Sequence, residues 1–419
     1  MAQGQNTQVV AYQYEKVLDR VSLLFNRDHT LFDKIEVRKN LETISSRAMR
    51  IPLDLLAGGK FSQVNADGGD FGRGSAITAD FAQISSVYFA LATEYTKLFE
   101  VATDNNEKAV EPAAKHNLEA AIDQFRKGIE ALLNSDGSGT LDTVVAGSSA
   151  SAVVTVNNAS QFYDNQDITF WSAVGGTQRG ASNSTILSVD ANSKTITLTA
   201  NAPTGTTAGD IIVVAGGTAA AASSLLGIKY HQVDSDTGTW LQLNRTSYPG
   251  KLKTPHVAVN AALTPQAVRL AMAKVKRALG VQTPDVDNLN WHMNVEMVAA
   301  WENVGLVVAQ VIQNQLGGSE SQDMLKKSAP SKMAGRPIIE SINATPGRVD
   351  GLCLKHWGRA QTQPIGPLSF GGQVLFPIYG ASGGLSAATI SYLWAGFNVF
   401  TDNPRAGTFL DGITIPANY

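Results

Sequence analysis

The stretch "KHNLEAAIDQFRKGIEALLNSDGSG", Lys115 to Gly139, decides how the chain is read. Leu118, Ile122, Phe125, Ile129 and Leu132 recur at spacings of four, three, four and three. That is one apolar stripe on a helix of 3.6 residues per turn. Pro112 suits a first turn, where its missing N–H costs nothing, and Gly137 and Gly139 supply a stop. The pattern predicts a helix over 111–134, roughly 36 Å long at 1.5 Å per residue. The rest of its surface is Lys, Glu, Gln and Arg, and the heptads end too soon for a coiled coil. The expectation is a rod lying across a sheet with one face buried.

Beyond the rod the period changes to two and charge nearly disappears. Residues 143–220 hold six charged side chains: Asp164, Asp167, Arg179, Asp190, Lys194 and Asp210. "SAVVTV", "DITFWS", "TILSV", "TITLT" and "DIIVV" read as short strands, with "VDANSKT" as a hairpin link. The segment opens and closes on "VVAG" (Val144–Gly147 and Val213–Gly216). Paired flanks of this kind suit an inserted all-β barrel or sandwich.

Upstream, residues 1–50 read as an extended arm with a helical part, Val17, Val21, Leu24 and Phe25 sharing a face. "RAMRIPLDLLAGGKFSQV" reads as a strand near an edge because of Pro52. "NADGGDFGRGSA", Asn65–Ala76, is a glycine-rich tip, and "ITADFAQISSVYFALATEYTKLF" is its return strand. Residues 51–86 are therefore expected to form a projecting hairpin. Downstream, Thr264 as N-cap, Pro265 at the first position and Gly280 as stop frame a helix in "TPQAVRLAMAKVKRALG". "NVEMVAAWENVGLVVAQVIQNQL" reads as buried helix, and the chain from Pro330 onward as strands and turns.

The 419 residues are 43% hydrophobic with net charge −3, enough for two or three packed units and against a general polyanion binder. One cysteine, Cys353, excludes an internal disulfide framework. No leader peptide or membrane span is expected. "GASGG" around Ser382 has the form of a nucleophile elbow, but the last histidine, His356, precedes it and the triad order fails. Asp70-Phe71-Gly72 lacks every other kinase element. The six histidines show no metal-ligand spacing, and "NSDGSGTLD" and "DSDTG" lack the full set of a calcium loop. No catalytic, cofactor or metal residues are assigned, and an enzyme is not expected. A projecting hairpin with open edges instead points to a subunit that assembles.

Taken in order, the arm, the Gly-tipped hairpin, the helix near "AVEPAAKHNLEAAIDQF" and the run "GTWLQLNRTSYPGKLKTPHVAVNAALTPQAVRLAMAKVKRALG" resemble the major capsid protein of tailed phages. The resemblance implies an α+β fold of the Hong-Kong-97 type. Its parts would be an N-terminal arm (1–50), an extended loop (51–86), a peripheral domain with a spine helix (87–142, continued over 221–287), an axial domain (288–368) and returning C-terminal strands (369–419). The β-module at 143–220 is an addition to that plan. The implied partners are further copies of the chain in hexamers and pentamers, a scaffolding protein, a portal, a decoration protein and packaged double-stranded DNA held without sequence preference. No cofactor and no membrane is implied; the place would be the virion, after assembly in the host cytoplasm. Expected contacts are Phe61, Phe71 and Arg73 on the loop, and Arg38, Lys39 and Arg47 on the arm. The alternatives are an encapsulin-like shell subunit and a carbohydrate-active or carbohydrate-binding protein with a β-module.

Overall fold

The computed structural model describes residues 30–38, 41–45, 47–63, 73–96, 107–146, 151–281, 284–302, 332–370, 374–379 and 384–415. Within these, the side chains of 95–96, 107–119, 375 and 387 are left aside. The helical part of the arm expected around Val17 to Phe25 lies outside the described residues, as do the hairpin tip over 64–72 and the helix beyond residue 302.

The first sheet has strands β1 (Glu42–Ser45), β2 (Ala48–Leu56) and β3 (Thr78–Ser85), in that order. β2 and β3 form the expected antiparallel hairpin, with Ala48 opposite Ser85 and Pro52 opposite Phe81. The return stretch, read from sequence as one strand, is two. At Ser86 the chain leaves β2 and continues as β4 (Val87–Thr96), which pairs with a different sheet. The Ser86 N–H donates to the Arg47 carbonyl at 2.8 Å, and Asn398 Nδ2 donates to the Ser85 carbonyl at 2.8 Å, so both sides of the crossing are held.

Helix α1 (Glu107–Leu133) begins before the sequence-predicted start at 111 and ends at the predicted place. Pro112 therefore lies in the second turn and removes one bond, that to the Lys108 carbonyl. The good helix formers Glu107, Lys108 and Ala109 extend the helix past it. Gly137 and Gly139 have φ of 87° and 82°, left-handed values that glycine adopts without a Cβ penalty. The second half of α1 is buried on more than one face. Phe125, Ile129 and Leu132 are in the core as expected, but so are Lys127 and Glu130. Lys127 Nζ donates to the Phe162 carbonyl at 3.2 Å. Glu130 accepts from the backbone N–H groups of Leu31 and Phe32 at 3.1 and 2.8 Å. A charged group excluded from water needs such partners.

The low-charge segment is a closed six-stranded barrel: β5 (Thr140–Ala146), β6 (Val153–Val156), β7 (Asp167–Trp171), β8 (Gln178–Asp190), β9 (Thr195–Leu198) and β10 (Ile211–Val214). The flanks pair side by side, Ile211 opposite Thr143 and Ile212 opposite Asp142, and both are barrel staves themselves. Val154, Ile168, Phe170, Ile186, Ile196 and Ile212 fill the interior with no exposed surface. That interior is continuous with Phe125, Ile129 and Leu132 of α1. The barrel is also pinned to the body from its other side. Asn158 Nδ2 donates to the Ile342 carbonyl at 2.7 Å, Gln161 Nε2 to the Asn343 carbonyl at 2.8 Å, and Lys194 Nζ lies 2.9 Å from Glu296 Oε1.

Two strands, β11 (Thr239–Trp240) and β12 (Leu243–Asn244), form a small hairpin under the first sheet. Next come β13 (His256–Ala258), α2 (Pro265–Leu279), β14 (Leu289–Met293), β15 (Lys332–Met333), β16 (Arg336–Glu340), β17 (Val349–Cys353), β18 (Trp357–Pro367), β19 (Leu375–Tyr379), β20 (Leu385–Thr401) and β21 (Thr408–Asp411). Thr264 Oγ1 caps α2 by accepting from the Ala267 N–H at 3.3 Å, Pro265 opens it and Gly280 closes it with φ 98°. The larger sheet runs β13-β21-β17-β14-β16-β15, with α2 packed on one side. It draws 256–258 and 408–411 from outside 288–368. The stretch 357–367, inside that range, pairs instead with β20. β20 is the spine of the second large sheet, with β4 along one edge and β18 and β19 end to end along the other. α1 lies across β4 and β20.

The two large sheets are joined twice. β17 passes through the turn Leu354–His356 into β18, and β20 passes through Asp402 into β21. His356 Nδ1 lies 2.5 Å from Asp402 Oδ1, and the Asp402 N–H donates to the His356 carbonyl at 3.0 Å, so the two crossings touch. Close by, His231 is fully buried among Tyr230, Trp240 and Trp357, edge-on to each. Trp240 Nε1 donates to His231 Nδ1 at 3.1 Å, which leaves the ring proton on Nε2, facing the Val399 carbonyl at 3.1 Å. Burial holds the His231 pKa down to about 3.

Candidate assembly interface

The β2–β3 hairpin is buried at its base and bare toward its end. Met49, Ile51, Ala82 and Ile84 alternate onto one face and pack on Trp240, Leu241, Leu243 and Phe400. The Gln83 N–H donates to the Leu241 carbonyl at 3.0 Å, and the Tyr248 hydroxyl donates to Asp80 Oδ2 at 2.8 Å. Farther out, Leu56, Ile77 and Phe81 are exposed, and Phe61 is as open as in an extended peptide at 105%. The Arg50 guanidinium stands over the Phe81 ring at 5.6 Å. The two chains approach closely again near the tip. The Gly59 N–H donates to the Ser75 carbonyl at 2.7 Å, and a Cβ on Gly58 would fall 2.7 Å from that oxygen. Glycine at 58 is thus required by contact and at 59 by its φ of 96°.

Phe61 and Arg73 stand exposed on the two limbs of this tip. Arg47 is exposed in the link between β1 and β2. Arg38 is engaged within the chain: its N–H donates to the Arg359 carbonyl at 3.1 Å and its guanidinium to the Lys355 carbonyl. Phe71 and Lys39 lie outside the described residues. The structure therefore gathers Phe61 and Arg73 at one end of the hairpin and keeps Arg38 and Arg47 away from it.

A second apolar group was not singled out from the sequence. Phe370, Tyr379 and Leu385 are 80%, 66% and 72% exposed at the outer ends of β18, β19 and β20. "LSFGG" and "YGASGGL" carry the signal, apolar residues set beside glycine pairs, in the same manner as "GGKF". Tyr379 and Leu385 stand opposite each other across β19 and β20, and a contiguous exposed apolar patch is a mark of a contact surface where single exposed residues are not. Burying one such Phe or Leu side chain is worth about 1.5–3 kcal/mol.

No family model matches the chain, and no curated protein matches it. Among solved structures, a chain of the cyanophage A-1(L) capsid asymmetric unit superposes with a TM-score of 0.54 at 14% identity, covering 95% of this chain and 96% of that one. The capsid of Myoviridae phage XM1 gives 0.48 at 9% identity over 96% and 98%. The SrpI encapsulin of Synechococcus elongatus PCC 7942 gives 0.45 at 8% over 97% and 95%. Scores below one half are too low to separate these two. The likeness to the cyanophage A-1(L) capsid chain spans nearly the full length of both proteins, and it establishes that this chain has a phage-capsid fold.

Proposed function

We propose that the chain is the major capsid protein of a tailed bacteriophage, a non-enzymatic subunit whose hexamers and pentamers tile an icosahedral shell around double-stranded DNA. The observation that carries this reading is the whole-length likeness to the cyanophage A-1(L) capsid chain. The bare end of the hairpin supports it independently, since Phe61 and Ile77 stand exposed among the described residues and Phe81 is half exposed. In this reading the β2–β3 hairpin is the extended loop of a Hong-Kong-97-type subunit and α1 is its spine helix. The sheet around β20 is the peripheral domain and the sheet around β14 the axial domain. Phe61, Phe71 and Arg73 meet the neighbouring subunit, and Lys39 and Arg47 serve the arm. A scaffolding protein, a portal and a decoration protein complete the particle, which is built in the host cytoplasm.

Electron microscopy of the purified chain, with light scattering on the same sample, tests this. Closed shells or rings of five and six subunits are the expected result, with co-expressed scaffold where the chain alone stays small. Shells that enclose a protein cargo and no nucleic acid would move the assignment to an encapsulin-like container. A stable monomer under all conditions, scaffold included, would overturn it.

A further inference from the structure

Three metal-ligating groups converge at the joint between the two large sheets. Asp285, Cys353 and His356 each bring one donor atom, and these atoms lie within 4.8 Å of one another. Cys353 ends β17 and is 1% exposed. His356 ends the turn into β18, and Asp285 belongs to the turn that precedes β14. The side chains of His356 and Asp285 are 16% and 10% exposed. We propose that Asp285, Cys353 and His356 bind a divalent ion of the zinc class, which pins the joint between the sheets.

Geometry argues for an ion over a simple ion pair. His356 Nε2 lies 3.0 Å from Asp285 Oδ2, yet this buried nitrogen makes no well-directed hydrogen bond among the described residues. Two ligand atoms on a tetrahedral zinc, with bonds of about 2.0–2.2 Å, sit roughly 3.3 Å apart and do not point at each other. The other ring nitrogen, Nδ1, faces Asp402 Oδ1 at 2.5 Å. A carboxylate behind a ligating imidazole fixes its orientation and raises its basicity. Lys355 Nζ contacts the opposite oxygen, Asp285 Oδ1, at 3.3 Å and leaves Oδ2 for the ion. A sulfur, a nitrogen and one oxygen donor disfavour calcium and magnesium and suit zinc or cobalt. On binding, the Cys353 S–H bond gives way to a sulfur–metal bond and the proton goes to solvent.

The test uses the full-length chain, stripped with a chelator, dialysed and titrated with cobalt(II). Cys353 is the only cysteine in the chain, so a thiolate-to-cobalt charge-transfer band can arise nowhere else. The expected result is such a band in the near ultraviolet, saturating at one ion per chain and displaced by zinc. It should vanish in Cys353→Ser, and cobalt affinity should fall about 10–100-fold in Asp402→Asn. Circular dichroism on each variant separates loss of the site from loss of the fold. No band in the folded wild-type chain overturns the proposal, whatever the variants do. Cobalt uptake that is unchanged in Cys353→Ser and Asp285→Asn would also overturn it.

Discussion

The barrel and the hairpin are both built from short antiparallel strands, and they treat their edges in opposite ways. In the barrel each strand pairs on both sides, and its apolar side chains turn into a closed interior. In the hairpin sheet, β1 and β3 are the outer strands, and Leu56, Phe61, Ile77 and Phe81 stand in solvent. A closed barrel removes the open edges that let sheets join other chains. The hairpin keeps them. The difference teaches where each region's stability resides. The barrel is complete within one subunit, whereas the outer hairpin stands bare among the described residues and, in the proposed assembly, gains its burial from a neighbour.

The largest expected effect breaks the comparison by removing each region in turn. From sequence, the barrel reads as an insertion whose deletion over 148–212 leaves the host foldable. The structure gives a reason for the opposite outcome. The barrel interior and the buried half of α1 are one core, and Asn158 and Gln161 bond across to 342–344. Deletion of 148–212 is expected to give insoluble protein, because Phe125, Ile129 and Leu132 lose their cover. Replacing 60–73 with a two-residue glycine turn should leave a soluble, folded subunit that no longer assembles. Gly59 and Gly74 already lie against each other, so the join is short. Solubility and circular dichroism on the two deletions decide the matter. Soluble, cooperative folding of the barrel deletion would show the two cores to be separable.

A smaller effect is expected at Glu130, which links α1 to the segment before β1. Glu130→Ala leaves the buried N–H groups of Leu31 and Phe32 without their acceptor. Hydrogen bonds to a charged group are worth about 1.5–3 kcal/mol each in protein interiors. A loss of about 3 kcal/mol in urea unfolding is expected, with Glu130→Gln milder because its amide oxygen still accepts. A loss under 1 kcal/mol, on the order of a surface change, would show that water reaches these groups.

What the sequence made legible divides along the same line. Local signals were sufficient for α1, for α2 with its Thr264 cap, for the hairpin and for the all-β segment, since each rests on periods and turn residues within a short window. The split of the return strand at Ser86 was not legible. Val87–Thr96 has the same β-forming composition as Thr78–Ser85, and only β20, some 300 residues away, draws it to another sheet. Lys127 and Glu130 read as the solvated face of a rod, because their partners at 162 and 31–32 are remote in sequence. In the cluster at Asp285, Cys353 and His356 only the last two are close in sequence, and Asp285, 68 positions before Cys353, is joined to them by the fold alone. The exposed apolar side chains were half legible: glycine-rich surroundings pointed to Phe61, while Phe370, Tyr379 and Leu385 passed as ordinary strand residues.

A pH dependence sharpens the comparison on the buried side. His231 is neutral in the folded chain, held by burial at about 3 against 6.5 in a model peptide. The unfolded chain therefore binds the extra proton between these values. Stability is fully present above about pH 6.5 and is lost as pH falls toward 3, with a slope approaching 1.4 kcal/mol per pH unit. Urea unfolding of the wild type and His231→Phe across that range measures it. Equal slopes in both proteins would assign the acid sensitivity to other groups.

The smallest effect on the subunit is expected where the effect on assembly is greatest. Phe61→Ser removes an apolar side chain that is fully exposed among the described residues, so unfolding should shift by less than about 0.5 kcal/mol. Between subunits the same change removes the burial of a whole aromatic group, about 1.5–3 kcal/mol per contact. A shell repeats that contact many times, and the yield of closed particles should fall steeply while monomer stability stays level. Phe81→Ser is the internal control. Its ring also carries the Arg50 contact, so it should register slightly in both assays. Shells forming normally from Phe61→Ser would place the neighbour's contact elsewhere, with Phe370, Tyr379 and Leu385 next to be changed. Loss of stability in the isolated Phe61→Ser subunit would mean that the hairpin folds back on its own body, and the contrast with the barrel would no longer hold.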